Sequence, residues 1–182
     1  YDDVANQGKF LLNDFVFERM QRDGFEDAPA LLQLQEQNRG PPLEHLREIG
    51  RVFRRCGDDL DRDKGLLELV SRVPPDAERQ TLMNVAGSIF QDKIVNWGRI
   101  VALFYFAYRV CIRAVNRVEL IRDIINSIVA FMRTYIVQWV LEHGGWEAIV
   151  EYWDRSKRKL GFFVFGSLTV CAGAFLYHRY LS

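Results

Sequence analysis

Cysteine is scarce in this chain and poorly placed for chemistry. Cys56, Cys111 and Cys171 are odd in number and far apart, so neither a disulfide framework nor a zinc spacing can be read from them, and a reducing compartment is the plain expectation. Histidine is as thin: His45, His143 and His178 are too scattered to suggest a metal site, and surface or capping roles are their ordinary use. Net charge is missing too, since 24 basic residues balance 24 acidic ones. That balance argues against a nucleic-acid or polyanion partner held by bulk electrostatics. No serine or cysteine stands in a nucleophile motif, so an enzyme is not expected and no catalytic residue, cofactor or metal is assigned. Asp59, Asp61 and Asp63 alternate as calcium-loop ligands do, but Gly65 falls one place late and Val70 stands where a bidentate glutamate is required. Strand alternation and internal repeats are also absent. The first twenty residues hold Asp2, Asp3, Asp14 and Glu18, so no signal peptide is expected.

What is present is helical periodicity on a length, 182 residues, that suits one domain with a real core. In the first helix Leu11, Leu12, Phe15 and Val16 make a stripe that Phe10 and Phe17 widen. Residues 23–42 read as a linker punctuated by Gly24, Pro29, Gly40, Pro41 and Pro42. A second helix is expected from near Leu43, a short third over Leu66–Val73 ending at Pro74-Pro75, and a fourth from about Asp76 to Gln91. In the fourth, Leu82, Val85, Ala86, Ile89 and Phe90 face inward. A central helix follows from about Trp97 to Asn116. Val118–Leu141 reads as a sixth, with Ile121, Ile124, Ile125, Ile128, Met132, Tyr135 and Trp139 on one face. Gly144-Gly145 stops it, and Trp146–Trp153 makes a seventh. The expected fold class is all-α: amphipathic helices around a central hydrophobic one over residues 1–154, then a C-terminal segment over 155–182.

Two segments are apolar all round. From Ile100 to Tyr108 nine residues carry no charge, so this helix belongs inside a bundle or a membrane. Arg99 stands at its mouth and reads as an exposed cationic handle awaiting an anion, which points to a binding groove. Leu160–Tyr177 is also uncharged, bracketed by Arg155, Lys157, Arg158 and Lys159 before it and His178 and Arg179 after it. Eighteen helical residues reach about 27 Å, enough to cross a bilayer core. A tail anchor with the bundle in the cytosol is expected, its apolar surface including Leu160, Phe163, Phe165, Leu168 and Tyr177. The alternative is a final core helix. Gly166, Ser167, Thr169 and Gly173 would also suit close packing in a protein groove.

The second helix carries a stripe. Ile49, Phe53, Cys56 and Leu60 are spaced 4, 3 and 4, along one helical face. Gly57 beside it costs roughly 1 kcal/mol against alanine, and close approach of another helix would account for it. Asp58 offers a carboxylate, and Arg99 a bidentate partner. An ordinary core helix with a chance glycine fits the spacing equally.

Residues 49–61, IGRVFRRCGDDLD, resemble the third Bcl-homology motif of the Bcl family of apoptosis regulators. NWGRIVALFYFA at 96–107 is similar to the family's first motif, WVLEHGGWEAIVEYW at 139–153 to its second, and GKFLLNDFVFERM at 8–20 to its first-helix motif. They stand in the family's order, and the anchor is where the family has one. Phe53 stands where the family most often has leucine, and Cys56 where it has a larger aliphatic residue. The run Ala102–Ala107 and the turn Gly144, Gly145, Trp146 resemble the pore-forming effectors more than the survival members.

The resemblance implies a groove built by helices two to five, with Asn96, Gly98, Arg99 and Leu103 in it. It implies that Ile49, Phe53, Cys56 and Leu60 anchor a third-motif helix, with Gly57 and Asp58 beside them, and that Asp58 pairs with Arg99 of a second copy. An effector of this kind, once activated by third-motif helices, dimerises, forms higher oligomers and permeabilises the mitochondrial outer membrane. Its partners would be other Bcl family proteins, activator helices, itself and membrane lipid. The alternatives are a guardian that sequesters third-motif helices and a constitutive tail-anchored adaptor. In a soluble monomer the tail is expected to fold back into the groove.

Overall fold

A computed structural model describes residues 1–26 and 44–158. Within them every regular element is helical: α1 (Asp2–Arg22), α2 (Glu44–Asp58), α3 (Lys64–Ser71), α4 (Arg79–Gly87), α5 (Trp97–Arg113), α6 (Val118–Tyr135), α7 (Val137–Glu142) and α8 (Ala148–Arg158). Single 3₁₀ turns follow α2 at Asp59–Arg62 and α4 at Ser88–Phe90.

Local chemistry sets the ends. Asn96 is extended and its side chain accepts the Arg99 amide at 2.9 Å, so α5 begins with one of its orphan donors satisfied. Asp63 does the same for Leu66 at the start of α3. In α1, Asp2 and Asp3 lie in the first turn and Arg19 and Arg22 in the last, complementing the helix dipole at both ends.

Helix α5 is the axis. Every residue from Trp97 to Tyr108 is buried, with α1, α2 and α6 packed along it and α3 against it. The central hydrophobic helix expected from composition is therefore present, though it ends at Arg113, where Ala114 leaves helical geometry. Helix α4 packs on α6, and α8 on α2. The third helix starts two residues earlier than the sequence suggested, and the fourth starts at Arg79 because Glu78 before it is extended. Trp146 sits ahead of the last described helix rather than in it.

One expected helix is two. The run 118–141 breaks at Ile136, whose φ and ψ are −117° and −41°. Thr134, Ile136 and Val137 crowd three β-branched residues into four positions, which weakens a helix locally. Ile136 at the break is fully buried, and Tyr135, the last residue of α6 and expected on the core face, is 59% exposed.

Among the described residues no helix is long and apolar enough to cross a membrane. The proposed anchor at 160–177, and most of the linker, lie outside those residues.

Candidate functional site: a third-motif helix clasped to the bundle

The four stripe residues of α2 and its 3₁₀ extension, Ile49, Phe53, Cys56 and Leu60, are all buried. Phe53 stacks on Phe104 of α5 with centroids 4.6 Å apart and planes at 23°, and its ring lies 5.9 Å from that of Trp146. Phe15 meets the edge of Phe104 at 5.9 Å, and Trp97 lies 6.1 Å from Trp146. One aromatic cluster therefore draws a side chain from each of the four sequence motifs. Such pairs contribute about 0.5–1.5 kcal/mol each beyond the area they bury.

The glycines explain how the motifs reach one another. A Cβ on Gly57 would lie 2.8 Å from the Phe15 ring, so the expected close approach is real and the neighbour is α1. Gly144 and Gly145 have φ of +95° and +78°, where a side chain is strained. The Gly145 amide reaches back to the Val140 carbonyl at 2.9 Å and ends α7. That turn delivers Trp146 inward, where its indole N–H donates to the Val4 carbonyl at 2.8 Å.

Charge fastens α2 to α1. Arg19, only 2% exposed, holds Asp58 at 3.1 Å and Asp61 at 2.5 Å. Arg22 takes the same Asp58 oxygen at 2.6 Å. The Arg19 guanidinium lies 5.2 Å and 5.0 Å from the ring centres of Tyr105 and Tyr108, close enough for cation–π attraction. Tyr105 donates to Asp61 at 2.8 Å and Tyr108 donates to Asp23. Burial pushes the Asp61 carboxyl up, but hydrogen bonds from Tyr105 and Arg19 overcome this and hold it below its ordinary range. Burial, then the bond to Asp61, drives the Tyr105 phenol up to about 12. A second pair of opposite polarity, Arg54 of α2 on Asp14 of α1, lies further up the same interface.

Arg99 is not the exposed handle expected from its place at the helix mouth. It is 2% exposed, and Asp92 takes its fork: Nη1 and Nη2 each donate to one carboxylate oxygen, the second at 2.7 Å. Nη1 also donates to the Ile94 carbonyl at 2.6 Å. These bonds from Arg99 hold the Asp92 carboxyl down at about 2. Of the other expected groove residues, Gly98 and Leu103 are buried and Asn96 is the cap. In this monomer Asp58 and Arg99 are thus both engaged, each with a partner from its own chain.

Sequence reasoning missed Arg19, Asp92, Tyr105 and Tyr108. Arg19 had a signal: it falls four residues after Phe15 on the apolar stripe of α1, where a charge must find a partner. Asp92 had none, because it lies in a turn outside any helical register.

Comparison with known proteins gives the same assignment. Residues 44–146 match the family described as apoptosis regulator proteins, Bcl-2 family. The chain is 33% identical over 172 residues to apoptosis regulator BAX of Mus musculus, covering 92% of this chain and 86% of that protein. It is 34% identical over 126 residues to apoptosis regulator Bcl-2 of Cricetulus griseus, covering 66% and 51% respectively. A solved structure of Trichuris suis BCL-2 superposes with a TM-score of 0.69 at 22% identity, covering 86% of this chain and 95% of that one, which speaks to the fold alone. The four motifs, the helical bundle they build and these relatives agree: the chain belongs to the Bcl-2 family of apoptosis regulators.

Proposed function

We propose that this chain is a pro-apoptotic, pore-forming effector similar to BAX. Activator third-motif helices dock in the groove beside Asn96, Gly98, Arg99 and Leu103. Helix α2 then leaves the bundle, docks in the groove of a second copy, and places Asp58 on that copy's Arg99. The resulting dimers and higher oligomers permeabilise the mitochondrial outer membrane, to which residues 160–177 attach the protein as a single-pass tail. Similarity to BAX along 92% of the chain is the observation that carries this reading. The clasp supports it, because a helix held by ion pairs at its end can be released as a unit.

The 34% identity to Bcl-2 over 126 residues favours a second reading, a guardian that holds third-motif helices without forming pores. Dye-loaded liposomes of mitochondrial outer-membrane composition separate the two. Release on adding chain and activating peptide supports the effector. Tight peptide binding without release supports the guardian, and neither would leave a tail-anchored adaptor.

A further inference from the structure

The cation that a docking helix would seek is already filled from within its own chain. An Nη atom of arginine carries two N–H bonds, and on Arg99 Nη1 spends both, one on Asp92 and one on the Ile94 carbonyl. Nη2 completes the bidentate pair with Asp92. Asp92 is itself fastened, its Oδ1 accepting the Ile94 amide at 3.0 Å. Lys93, between the two, has φ of +63°, a region in which a side-chain-bearing residue is strained. The Asp92 carboxylate is 40% exposed and the guanidinium beneath it 2%. An acid arriving from solvent therefore meets Asp92 before it meets Arg99. A planar guanidinium has two edges that suit a bidentate acceptor: the one between Nη1 and Nη2 is taken by Asp92, and Nε on the other is buried.

We infer that Asp92 is a specificity-determining residue of the groove, a built-in competitor that holds Arg99 in the resting chain and must be exchanged for the aspartate of any third-motif helix that docks there. This rests on the reading above that the groove receives such helices. The exchange removes one ion pair from Arg99 and makes another, so the incoming aspartate adds little net affinity. Admission then depends on the apolar stripe, and a helix with a correctly placed acid but a poor stripe is rejected. The strained turn at Lys93 keeps the exchange accessible, since releasing Asp92 also lets that residue relax.

Fluorescence anisotropy tests this with two labelled peptides spanning residues 43–63, one natural and one carrying Asp58→Ala, on the full chain and its Asp92→Asn variant. The variant is expected to bind the natural peptide about tenfold more tightly than the unaltered chain does, with no change for the Asp58→Ala peptide. An equal gain for both peptides, or no gain for either, overturns the competitor while leaving the groove reading standing. A natural peptide that binds neither chain overturns both. Lys93→Gly keeps the test open if Asp92→Asn fails to fold. It removes the strain, firms the turn, and is expected to weaken the natural peptide about threefold. Tighter or unchanged binding by Lys93→Gly contradicts the proposal.

Discussion

Arg19 of α1 and Asp58 at the end of α2 form an ion pair at 3.1 Å in which the arginine is 2% exposed and the aspartate 48%. The pairing is lopsided: the cation is committed to the core, whereas the acid keeps half its surface in water. The carboxylate proposed for the contact between copies is thus held at rest by a residue that cannot follow it out.

Asp58→Ala separates the two roles of that acid. Arg19 keeps Asp61 at 2.5 Å, so the monomer should lose only about 1 kcal/mol, as expected for a half-exposed pair. Self-association on membranes should weaken without disappearing, because Asp92 already holds Arg99 and the apolar stripe carries most of the docking. Cross-linked ladders matching the unaltered protein would exclude the pairing of Asp58 with Arg99.

Arg19→Met tests the clasp from its buried side. It removes the contacts to Asp58 and Asp61 and to the faces of Tyr105 and Tyr108, at a cost of roughly 3 kcal/mol. Dye release should then need less activating peptide. A variant that melts and releases as the natural chain does would show that the clasp does not govern the helix.

Phe53→Glu places a carboxylate between the rings of Phe104 and Trp146, at a position that is fully buried. Burying an unpaired acid costs several kcal/mol, roughly 4 or more, so the variant should unfold at ordinary temperature. In the 43–63 peptide the same change should abolish binding to a family groove. Equal affinity of the altered and natural peptides would remove Phe53 from the anchors.

Acid should act on the Arg99 turn with a defined sign. The folded Asp92 carboxyl, at about 2, lies below its unfolded reference of 3.8. Its contribution is therefore complete above pH ~4 and is lost as pH falls towards 2. Asp14 runs the other way: burial raises its carboxyl, so protonation relieves a cost as pH falls. Denaturation midpoints measured from pH 5 to pH 2 should show a slope that is smaller in Asp92→Asn. An unchanged slope would contradict the depressed carboxyl.

Much of this bundle was legible because periodic burial is written in the order of residues. The 4, 3, 4 spacing of Ile49, Phe53, Cys56 and Leu60 placed them on one face, and all four are buried. The uncharged run from Ile100 to Tyr108 had to be enclosed, and it is. Gly57 was expected to mark a close contact and does so against Phe15. What the sequence hid was partner choice among charges. Arg99 has no helical relation to Asp92, seven residues earlier, and only the turn at Lys93 brings them together. Tyr135 was misplaced: it is the last residue of α6 and keeps that helix's register, yet it is exposed where Ile136 beyond it is buried.

The hydrogen bond from Trp146 to the Val4 carbonyl joins residues 142 positions apart. During synthesis the first helix therefore emerges long before the indole that seals it. At ordinary translation rates of ~5–20 residues per second, that interval lasts roughly 7–28 s. In the last part of it, once Trp97–Arg113 has been made, the uncharged residues of α5 have no complete shelter. Closure across so long a loop also makes for slow folding. The nascent chain thus passes through a stage in which the apolar surface of its central helix is bare.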